Sequence, residues 1–187
     1  DYVASKRKPI IISTGMATNK EIVEAISTIK KYHNKIILLY CVSGYPAKEK
    51  DVNLINLKNL KKKYGQYIVG LSDHTEEIQT SLTAVALGAE IIEKHYIISK
   101  KLNSLDKKFS INPLQMRELK EKTQSIYDSM GKIQNGPKKV EKNSLKIRRS
   151  LFAIKDIKKG EKFSKFNVGT FRPIVGLPAN FYFKILG

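Results

Sequence analysis

Four short apolar runs, each followed by a segment with helical spacing, constrain the fold of this chain more than any other feature. The runs span Pro9–Thr14, Lys35–Val42, Tyr67–Leu71 and Glu90–Ile97. Nearly continuous apolar residues in runs this short predict strands that are buried on both faces of a parallel sheet. Strand–helix alternation requires a crossover between each pair of parallel strands. Residues 1–130 are therefore predicted to form four βα units.

Local signals predict where the intervening helices begin and end. Thr18 and Glu21 have the spacing of a capping box, and Asp51 is placed to cap the second helix. Gly65 can end that second helix, and Pro113 suits a first helical turn. The helices are expected over about 19–32, 52–64, 75–87 and 113–130.

Four consecutive βα units form either half of an eight-fold (β/α) barrel or one open, doubly wound sheet. A dinucleotide-binding sheet is disfavoured, because no G-x-G-x-x-G follows any of the strands. In a barrel, the loops after the strands form the active face. That face would collect these polar side chains: Ser13, Thr14, Ser43, Tyr45, Ser72, Asp73, His74, Glu93 and His95.

The pattern changes after the fourth helix. Residues 131–148 are highly charged with weak periodicity, and we interpret them as a linker. From Arg149 the chain shows short β-like runs, so residues 149–187 are predicted to begin a small β-rich module. The chain starts with Asp1 rather than Met, and we expect it to be a piece of a longer protein.

Composition narrows the classes of partner. The 35 basic and 17 acidic residues give a formal net charge of +18, but lysines are scattered over the whole chain without an aromatic-plus-basic stripe. We therefore expect no nucleic-acid partner, and the charge should attract anionic small substrates. We also expect no membrane association, because no run approaches roughly 18 apolar residues. The lone Cys41 and the lack of a recognisable signal peptide predict a cytoplasmic location.

Two histidines provide the strongest chemical signal. His74 and His95 each follow a predicted strand, one βα unit apart, and adjacent parallel strands lie about 4.8 Å apart. Both imidazoles can therefore converge on one divalent ion such as Mn²⁺, Fe²⁺, Co²⁺ or Zn²⁺, oriented by carboxylates of Asp73, Glu93 or Asp106. The alternative interpretation is that both histidines only form hydrogen bonds in polar loops.

Three serines end three successive strands. Ser13, Ser43 and Ser72 each follow an apolar run. Hydroxyls and loop N–H groups around a barrel mouth can hold a phosphate group. For any one serine taken alone, an ordinary role in capping a loop is the better interpretation, and only the three together make the two interpretations equal.

The segments that carry these residues resemble the N-acetylneuraminate (sialic acid) synthase family, which includes the pseudaminic and legionaminic acid synthases. The resemblance covers the whole chain in order, and its motifs are Pro9-Ile-Ile-Ile-Ser-Thr-Gly-Met16, Leu39-Tyr-Cys-Val-Ser-Gly-Tyr-Pro46, Asp51-Val-Asn-Leu54, Gly70-Leu-Ser-Asp-His-Thr75 and Ala86-Leu-Gly-Ala-Glu-Ile-Ile-Glu-Lys-His95. Further matches at Arg148-Arg-Ser-Leu151, Lys155-Asp-Ile-Lys-Lys-Gly-Glu161 and Phe171-Arg-Pro173 resemble the start of the family's C-terminal antifreeze-like (SAF) domain.

The resemblance implies the C-terminal half of a (β/α)₈ TIM barrel, followed by the beginning of a SAF domain. It implies an enzyme of carbohydrate biosynthesis, a transferase that condenses phosphoenolpyruvate with an N-acetylated amino sugar such as N-acetylmannosamine and releases phosphate. It also implies that the complete protein is a domain-swapped homodimer. A divalent metal, Mn²⁺ above Mg²⁺ or Co²⁺, would be held by His74 and His95. The roles implied for other residues are phosphoenolpyruvate or substrate binding by Ser13, Ser43, Ser72 and Glu93, and catalysis near the sugar by Tyr45, Asp106 and Arg172.

The chain departs from the family pattern in several places. Asn103–Asp106 replaces a usual Pro-Gly-Pro-Asp, Lys107 follows where histidine is common, and Tyr40 replaces a frequent histidine. The matches begin at the fifth barrel strand, so a glutamate and a lysine of the complete site lie outside this chain. We therefore expect these residues alone to be inactive. The alternatives are a non-catalytic anion- or carbohydrate-binding remnant of a split gene and, third, a nucleic-acid binder.

Overall fold

The computed structural model describes all residues, Asp1–Gly187, as two compact units, Asp1–Gly131 and Lys132–Gly187. The first unit contains α1 (Tyr2–Ser5), β1 (Ile10–Ser13), α2 (Asn19–Lys30), β2 (Ile36–Cys41), α3 (Glu49–Val52), α4 (Ile55–Tyr64), β3 (Ile68–Asp73), α5 (Gln79–Ala86), β4 (Ile92–Lys94), a 3₁₀ turn (Leu105–Lys108) and α6 (Pro113–Met130). The second unit contains a 3₁₀ turn (Lys139–Glu141), α7 (Lys142–Leu145), β5 (Ser150–Ala153), β6 (Val168–Phe171), another 3₁₀ turn (Ala179–Phe181) and α8 (Tyr182–Ile185).

The first unit is built on one parallel sheet of four strands in the order β1-β2-β3-β4. Spatial order equal to chain order is what a barrel segment requires, whereas a doubly wound sheet reverses its strand order part-way. The prediction of half a (β/α) barrel is therefore confirmed for this unit. β1 and β4 remain the two edges of the sheet.

The helices cover one face of this sheet. Leu38 of β2, Val69 and Leu71 of β3, and Leu57 of α4 are at most 1% exposed. They belong to apolar clusters that join the sheet to α2, α4 and α5. Side chains of the other parity point to the concave face, where Ile11 is 52% exposed and Ile68 is 41% exposed. The core thus lies between sheet and helices, and the concave face is open.

Gly70 allows β3 and β4 to approach each other closely. A Cβ at this position would collide with the carbonyl oxygen of Ile91 and would lie 2.9 Å from Cδ2 of Leu39. The backbone N–H of Leu71 donates to the same Ile91 carbonyl at 3.0 Å. Glycine, the amino acid without a side chain, therefore lies where β3 and β4, the two strands that lead to the histidines, come close together.

Helix boundaries follow the predicted signals at some ends and not at others. Thr18 caps α2 in a complete capping box with Glu21, as predicted. Pro113 opens α6 after an Asn112 cap, also as predicted. The predicted cap at Asp51 is wrong, because Asp51 lies inside α3. Asn53 follows α3 in the left-handed region (φ 47°) and separates it from α4.

The third and fourth units also depart from prediction. α5 begins at Gln79 and not at Thr75, because the N–H of Thr75 donates to the Asp73 carboxylate in a local turn that competes with helix. β4 is three residues long, shorter than the predicted run of 90–97. Beyond it, Tyr96 pairs with Ile111 as an isolated parallel bridge, which brings the loop before α6 back against the strand end.

The second unit is small, and its sheet is a single antiparallel pair. Residues 150–153 of β5 pair with residues 168–171 of β6, within the β-like runs that the sequence predicts. The 3₁₀ turn at 139–141 and α7 fall inside the segment that we interpreted as a linker. None of the chain's helices has both the length and the apolar character needed to cross a membrane.

Candidate functional site

His74 and His95 lie together at the carboxyl end of the sheet, as the spacing of the two strands predicts. Their ring centroids are 5.3 Å apart and the rings are nearly perpendicular. His74 directly follows β3 and is 6% exposed, and His95 directly follows β4. Metal–nitrogen bonds of about 2.0–2.1 Å allow two imidazoles at this spacing to reach one ion.

Hydrogen bonding shows which ring nitrogens are available. Nδ1 of His74 lies 2.9 Å from the carbonyl oxygen of Val42. Nδ1 of His95 lies 3.2 Å from Oδ2 of Asp106. Both partners are acceptors, so each Nδ1 carries the proton and each neutral ring keeps its lone pair on Nε2. This is the tautomer in which histidine binds a metal while its other nitrogen is held by an oxygen acceptor.

Two other aromatic rings enclose the histidine pair. The Tyr45 ring lies 4.3 Å from the His74 centroid and 6.2 Å from that of His95. The Phe109 ring, which is 3% exposed, lies 4.8 Å from the His95 centroid and 5.4 Å from that of Tyr45. These contacts restrict rotation of both imidazoles.

Ser72 and Glu93 form a hydrogen-bonded polar pair beside the histidines. They are opposite each other in the β3–β4 register, and the Ser72 hydroxyl donates to Oε1 of Glu93 at 2.6 Å. The same hydroxyl lies 3.4 Å from Nε2 of His74. Ser13 ends β1, and Ser43 follows β2 by two residues. Both serines are exposed at the carboxyl end of the sheet. The structure thus places all three serines at the end of the sheet that carries the histidines.

Asp73 does not orient a histidine, and that suggested role is wrong. Its carboxylate accepts hydrogen bonds from Thr75 and Ser81 and pairs with Lys94 on the helical side of the sheet. Because adjacent residues of a strand point to opposite faces, Asp73 points away from Ser72 and Glu93. Burial lowers the pKa of Lys94 from its ordinary value, and the charge of Asp73 opposes that shift.

Asp106 and Arg172 occupy different units. Asp106 lies in the 3₁₀ turn of the first unit, and the Ser110 hydroxyl and N–H donate to its carbonyl oxygen. Those bonds fold the loop so that the Asp106 carboxylate faces His95. Arg172 follows β6 in the second unit and is exposed.

Two observations limit the number of metal ligands and the enclosed volume that this site provides by itself. No group of three or more His, Cys, Asp or Glu side chains is arranged to hold a metal ion. A cavity of about 710 Å³ lies elsewhere, between α5, β4 and α6 on the helical side. The histidine pair therefore offers two nitrogen ligands, one on the buried ring of His74 and one on the partly exposed ring of His95.

Residues 1–135, which include every site residue of the first unit, match the family model described as the NeuB family. The chain belongs to the NeuB family. The family resemblance of the motifs within residues 1–135 is thereby confirmed.

Individual relatives agree with this assignment. The chain is 43% identical to the N,N'-diacetyllegionaminic acid synthase of Campylobacter jejuni over 189 residues, which cover 99% of this chain and 56% of the relative. It is 40% identical to a pseudaminic acid synthase of the same species, with 99% and 54% covered. A crystal structure of an N-acetylneuraminic acid synthetase from Leptospira borgpetersenii in complex with citrate aligns with a TM-score of 0.71 at 38% identity, over 76% of this chain and 50% of that one. The chain spans about half the length of the relatives that it matches.

Sequence reasoning missed two residues of the site. Phe109 lies in a loop that looks polar as a whole, but it precedes Ile111, whose N–H donates to the His95 carbonyl at 2.8 Å. The apolar alternation of 109–111 was the signal available for this contact. The pairing of Lys94 with Asp73 is visible only through the β3–β4 register.

Proposed function

We propose that this NeuB-family chain contributes half of the active site of a nonulosonic acid synthase. The complete enzyme would condense phosphoenolpyruvate with the open-chain form of an N-acetylated amino sugar. C3 of phosphoenolpyruvate forms a bond to the aldehyde carbon, water adds to C2, and phosphate leaves. The synthases named among the relatives support this class of product.

The observation that carries the proposal is the convergence of His74 and His95 at the end of neighbouring strands, with each Nδ1 bound to an oxygen acceptor. The two Nε2 atoms would hold a divalent ion, for which we propose Mn²⁺, with Mg²⁺ or Co²⁺ as alternatives. When bound, that ion would polarise the sugar aldehyde as a Lewis acid. Water or substrate oxygens would supply the remaining ligands.

The chain's own residues would bind and orient the reactants. The Val42 carbonyl and the Asp106 carboxylate hold the two imidazoles in one tautomer. Tyr45 packs against the His74 ring and is 57% exposed, which supports our proposal that it contacts the sugar. Asp106 is 53% exposed at its side chain, so it can reach both His95 and a polar group of the sugar.

We propose that phosphoenolpyruvate lies towards the serines. Ser13, Ser43 and Ser72 place hydroxyls at three successive strand ends, and a net charge of +18 attracts a trianionic substrate. Ser13 and Ser43 would donate to the substrate, whereas the Ser72 hydroxyl donates its only proton to Glu93 and would contact the substrate as an acceptor. A carboxylate beside an anion site would also favour a protonated or hydroxyl-bearing substrate group at that position.

For the second unit we keep the roles that the resemblance implies. We propose that residues 149–187 begin a SAF domain, that the complete protein is a domain-swapped cytoplasmic dimer, and that Arg172 reaches the active site of the partner. The exposed guanidinium of Arg172 is suited to hold a substrate amide or carboxylate.

The test is phosphate release by a protein that carries this segment together with the preceding barrel units. N-acetylmannosamine and a diacetamido trideoxyhexose would be compared as acceptors, with added Mn²⁺. We expect His74→Ala and His95→Ala each to abolish metal-dependent turnover, while His33→Ala, outside the site, leaves it unchanged. Unaltered metal dependence in both site variants would contradict the metal assignment. Binding of phosphoenolpyruvate without any turnover would favour the non-catalytic anion-binding alternative.

A further inference from the structure

Asp73 and Lys94 form an ion pair directly behind the two histidines. They are opposite each other in the β3–β4 register, with 3.0 Å between Nζ and Oδ2, and both side chains are 1% exposed. Asp73 immediately precedes His74, and Lys94 immediately precedes His95. The pair therefore joins the two strand ends that carry the imidazoles.

Every polar side-chain atom of Asp73 and Lys94 has a hydrogen-bond or ion-pair partner. Nζ of Lys94 donates to the carbonyl oxygens of Thr75 at 2.5 Å and Glu77 at 2.8 Å, besides its contact with Asp73. Oδ1 of Asp73 accepts from the N–H and the hydroxyl of Thr75, and Oδ2 accepts from Ser81 at 2.5 Å. The ammonium group thus attaches to β4 both the backbone that follows His74 and the side chain of the residue that precedes it.

A buried ion pair is weak evidence for stability, because desolvation of two charges cancels much of their attraction. Apolar residues of similar size would fill the same space between β3, β4 and α5. What apolar residues cannot do is bind the Thr75 and Glu77 carbonyls and so fix the turn that follows His74. The hydrogen bonds of the pair therefore point to a geometric task.

We propose that Asp73 and Lys94 are positioning residues that set the separation and relative orientation of the His74 and His95 imidazoles. This inference rests on the proposed function, because it assigns to the pair the alignment of two metal ligands. Val42 and Asp106 fix the rotation of each ring, whereas the ion pair fixes the backbone from which each ring extends. Both the ring rotation and the backbone position must be fixed for the two Nε2 atoms to coordinate one ion.

The experiment measures Mn²⁺ binding and unfolding of six proteins. The parent is the protein that carries this segment together with the preceding barrel units, and the other five are variants of it. Two variants, Lys94→Met and Asp73→Asn, each remove one charge, and a third carries both changes. Ser81→Ala removes one hydrogen bond from Asp73 and leaves both charges in place. The fifth, Lys61→Met, is a matched control, because it breaks the partly exposed Lys61–Glu90 pair (3.0 Å) away from the histidines. Free Mn²⁺ is measured by electron paramagnetic resonance, and stability by urea unfolding.

Each single-charge variant should lose stability, because the remaining buried charge is unpaired. The double variant should regain most of that stability but bind Mn²⁺ about 10- to 100-fold more weakly than the parent. Ser81→Ala should weaken binding about 2- to 10-fold. Lys61→Met should keep the parental Mn²⁺ affinity.

Parental affinity in either the double variant or Ser81→Ala would overturn the positioning role and leave the proposed function standing. If the double variant does not fold, Ser81→Ala decides alone. A parent protein that binds Mn²⁺ no better than a His74→Ala/His95→Ala variant would overturn the metal assignment, and the positioning role with it.

Discussion

Nδ1 of His95 lies 3.2 Å from Oδ2 of Asp106, although the two residues belong to a strand end and to a 3₁₀ turn 11 positions later. The loop that contains Asp106 folds back because the N–H of Ile97 donates to the Ile111 carbonyl and the N–H of Ile111 donates to the His95 carbonyl. The carboxylate holds the His95 ring from behind and makes its Nε2 the free nitrogen. Carboxylate support of this kind raises the basicity of a histidine ligand.

Replacement of Asp106 should therefore weaken metal binding without unfolding the protein. We expect Asp106→Ala to raise the Mn²⁺ dissociation constant about 10- to 100-fold, and Asp106→Asn to have a smaller effect, because its amide oxygen can still accept from Nδ1. Isothermal titration of each variant with Mn²⁺ measures both changes. Asp128→Ala, on an exposed part of α6, is the control and should match the parent. Equal affinity in parent and Asp106→Ala would show that the carboxylate does not support His95.

Phe109 should be the most stabilising residue of the loop that follows β4. It is 3% exposed and contacts the rings of both Tyr45 and His95. We expect Phe109→Ala to lower the free energy of unfolding by about 3–5 kcal/mol, and Phe109→Leu by less than about 1.5 kcal/mol. Tyr127→Ala, at a position 71% exposed, should change it by no more than about 0.5 kcal/mol. Chemical denaturation of the three variants would measure this order, and a smaller loss for Phe109→Ala than for Phe109→Leu would contradict it.

Local signals were sufficient to predict the sheet and two of the helix starts. The apolar runs that became β1, β2 and β3 need no tertiary information, because strands covered on both faces are apolar along their whole length. Thr18 and Asn112 cap helices through bonds to residues three positions away, so sequence spacing contains the whole interaction. The pairing of His74 with His95 followed from the same logic, since parallel strands bring their ends to one edge.

Interactions between distant segments could not be predicted in the same way. The contact of Phe109 with His95 depends on a loop of irregular structure between Lys94 and Pro113, which has no periodicity. The partners of Asp73 depend on distant segments, because Ser81 lies on α5 and the register with β4 places Lys94 opposite Asp73. The break between α3 and α4 at Asn53 is a single backbone conformation inside a pattern that still has helical spacing.

Gly70 should be nearly intolerant of substitution. A Cβ there would meet the backbone carbonyl of Ile91, which accepts from Leu71 and cannot move without disturbing the contact of β3 with β4, and the end of the Leu39 side chain. We expect Gly70→Ala to lower the free energy of unfolding by about 1–3 kcal/mol. Gly44→Ala serves as a control, because its nearest atoms would lie at 3.4 Å, an ordinary contact. Thermal and urea unfolding of both variants would test this, and equal stability of the two would refute the close approach of β3 and β4.

The open concave face should make the 187-residue chain associate with itself when it is produced without further residues. β1 and β4 are unpaired edges, and Ile11 and Ile68 expose 52% and 41% of their surface beside them. Unpaired parallel edges and exposed apolar side chains both favour association. Sedimentation velocity should show species larger than a monomer that increase with concentration. Ile11→Lys should reduce them by placing a charge at the β1 edge, while Leu105→Lys, on a side chain already fully exposed in the loop, should not. A soluble monomer that unfolds cooperatively at every concentration would show that the half barrel is stable with its concave face in water.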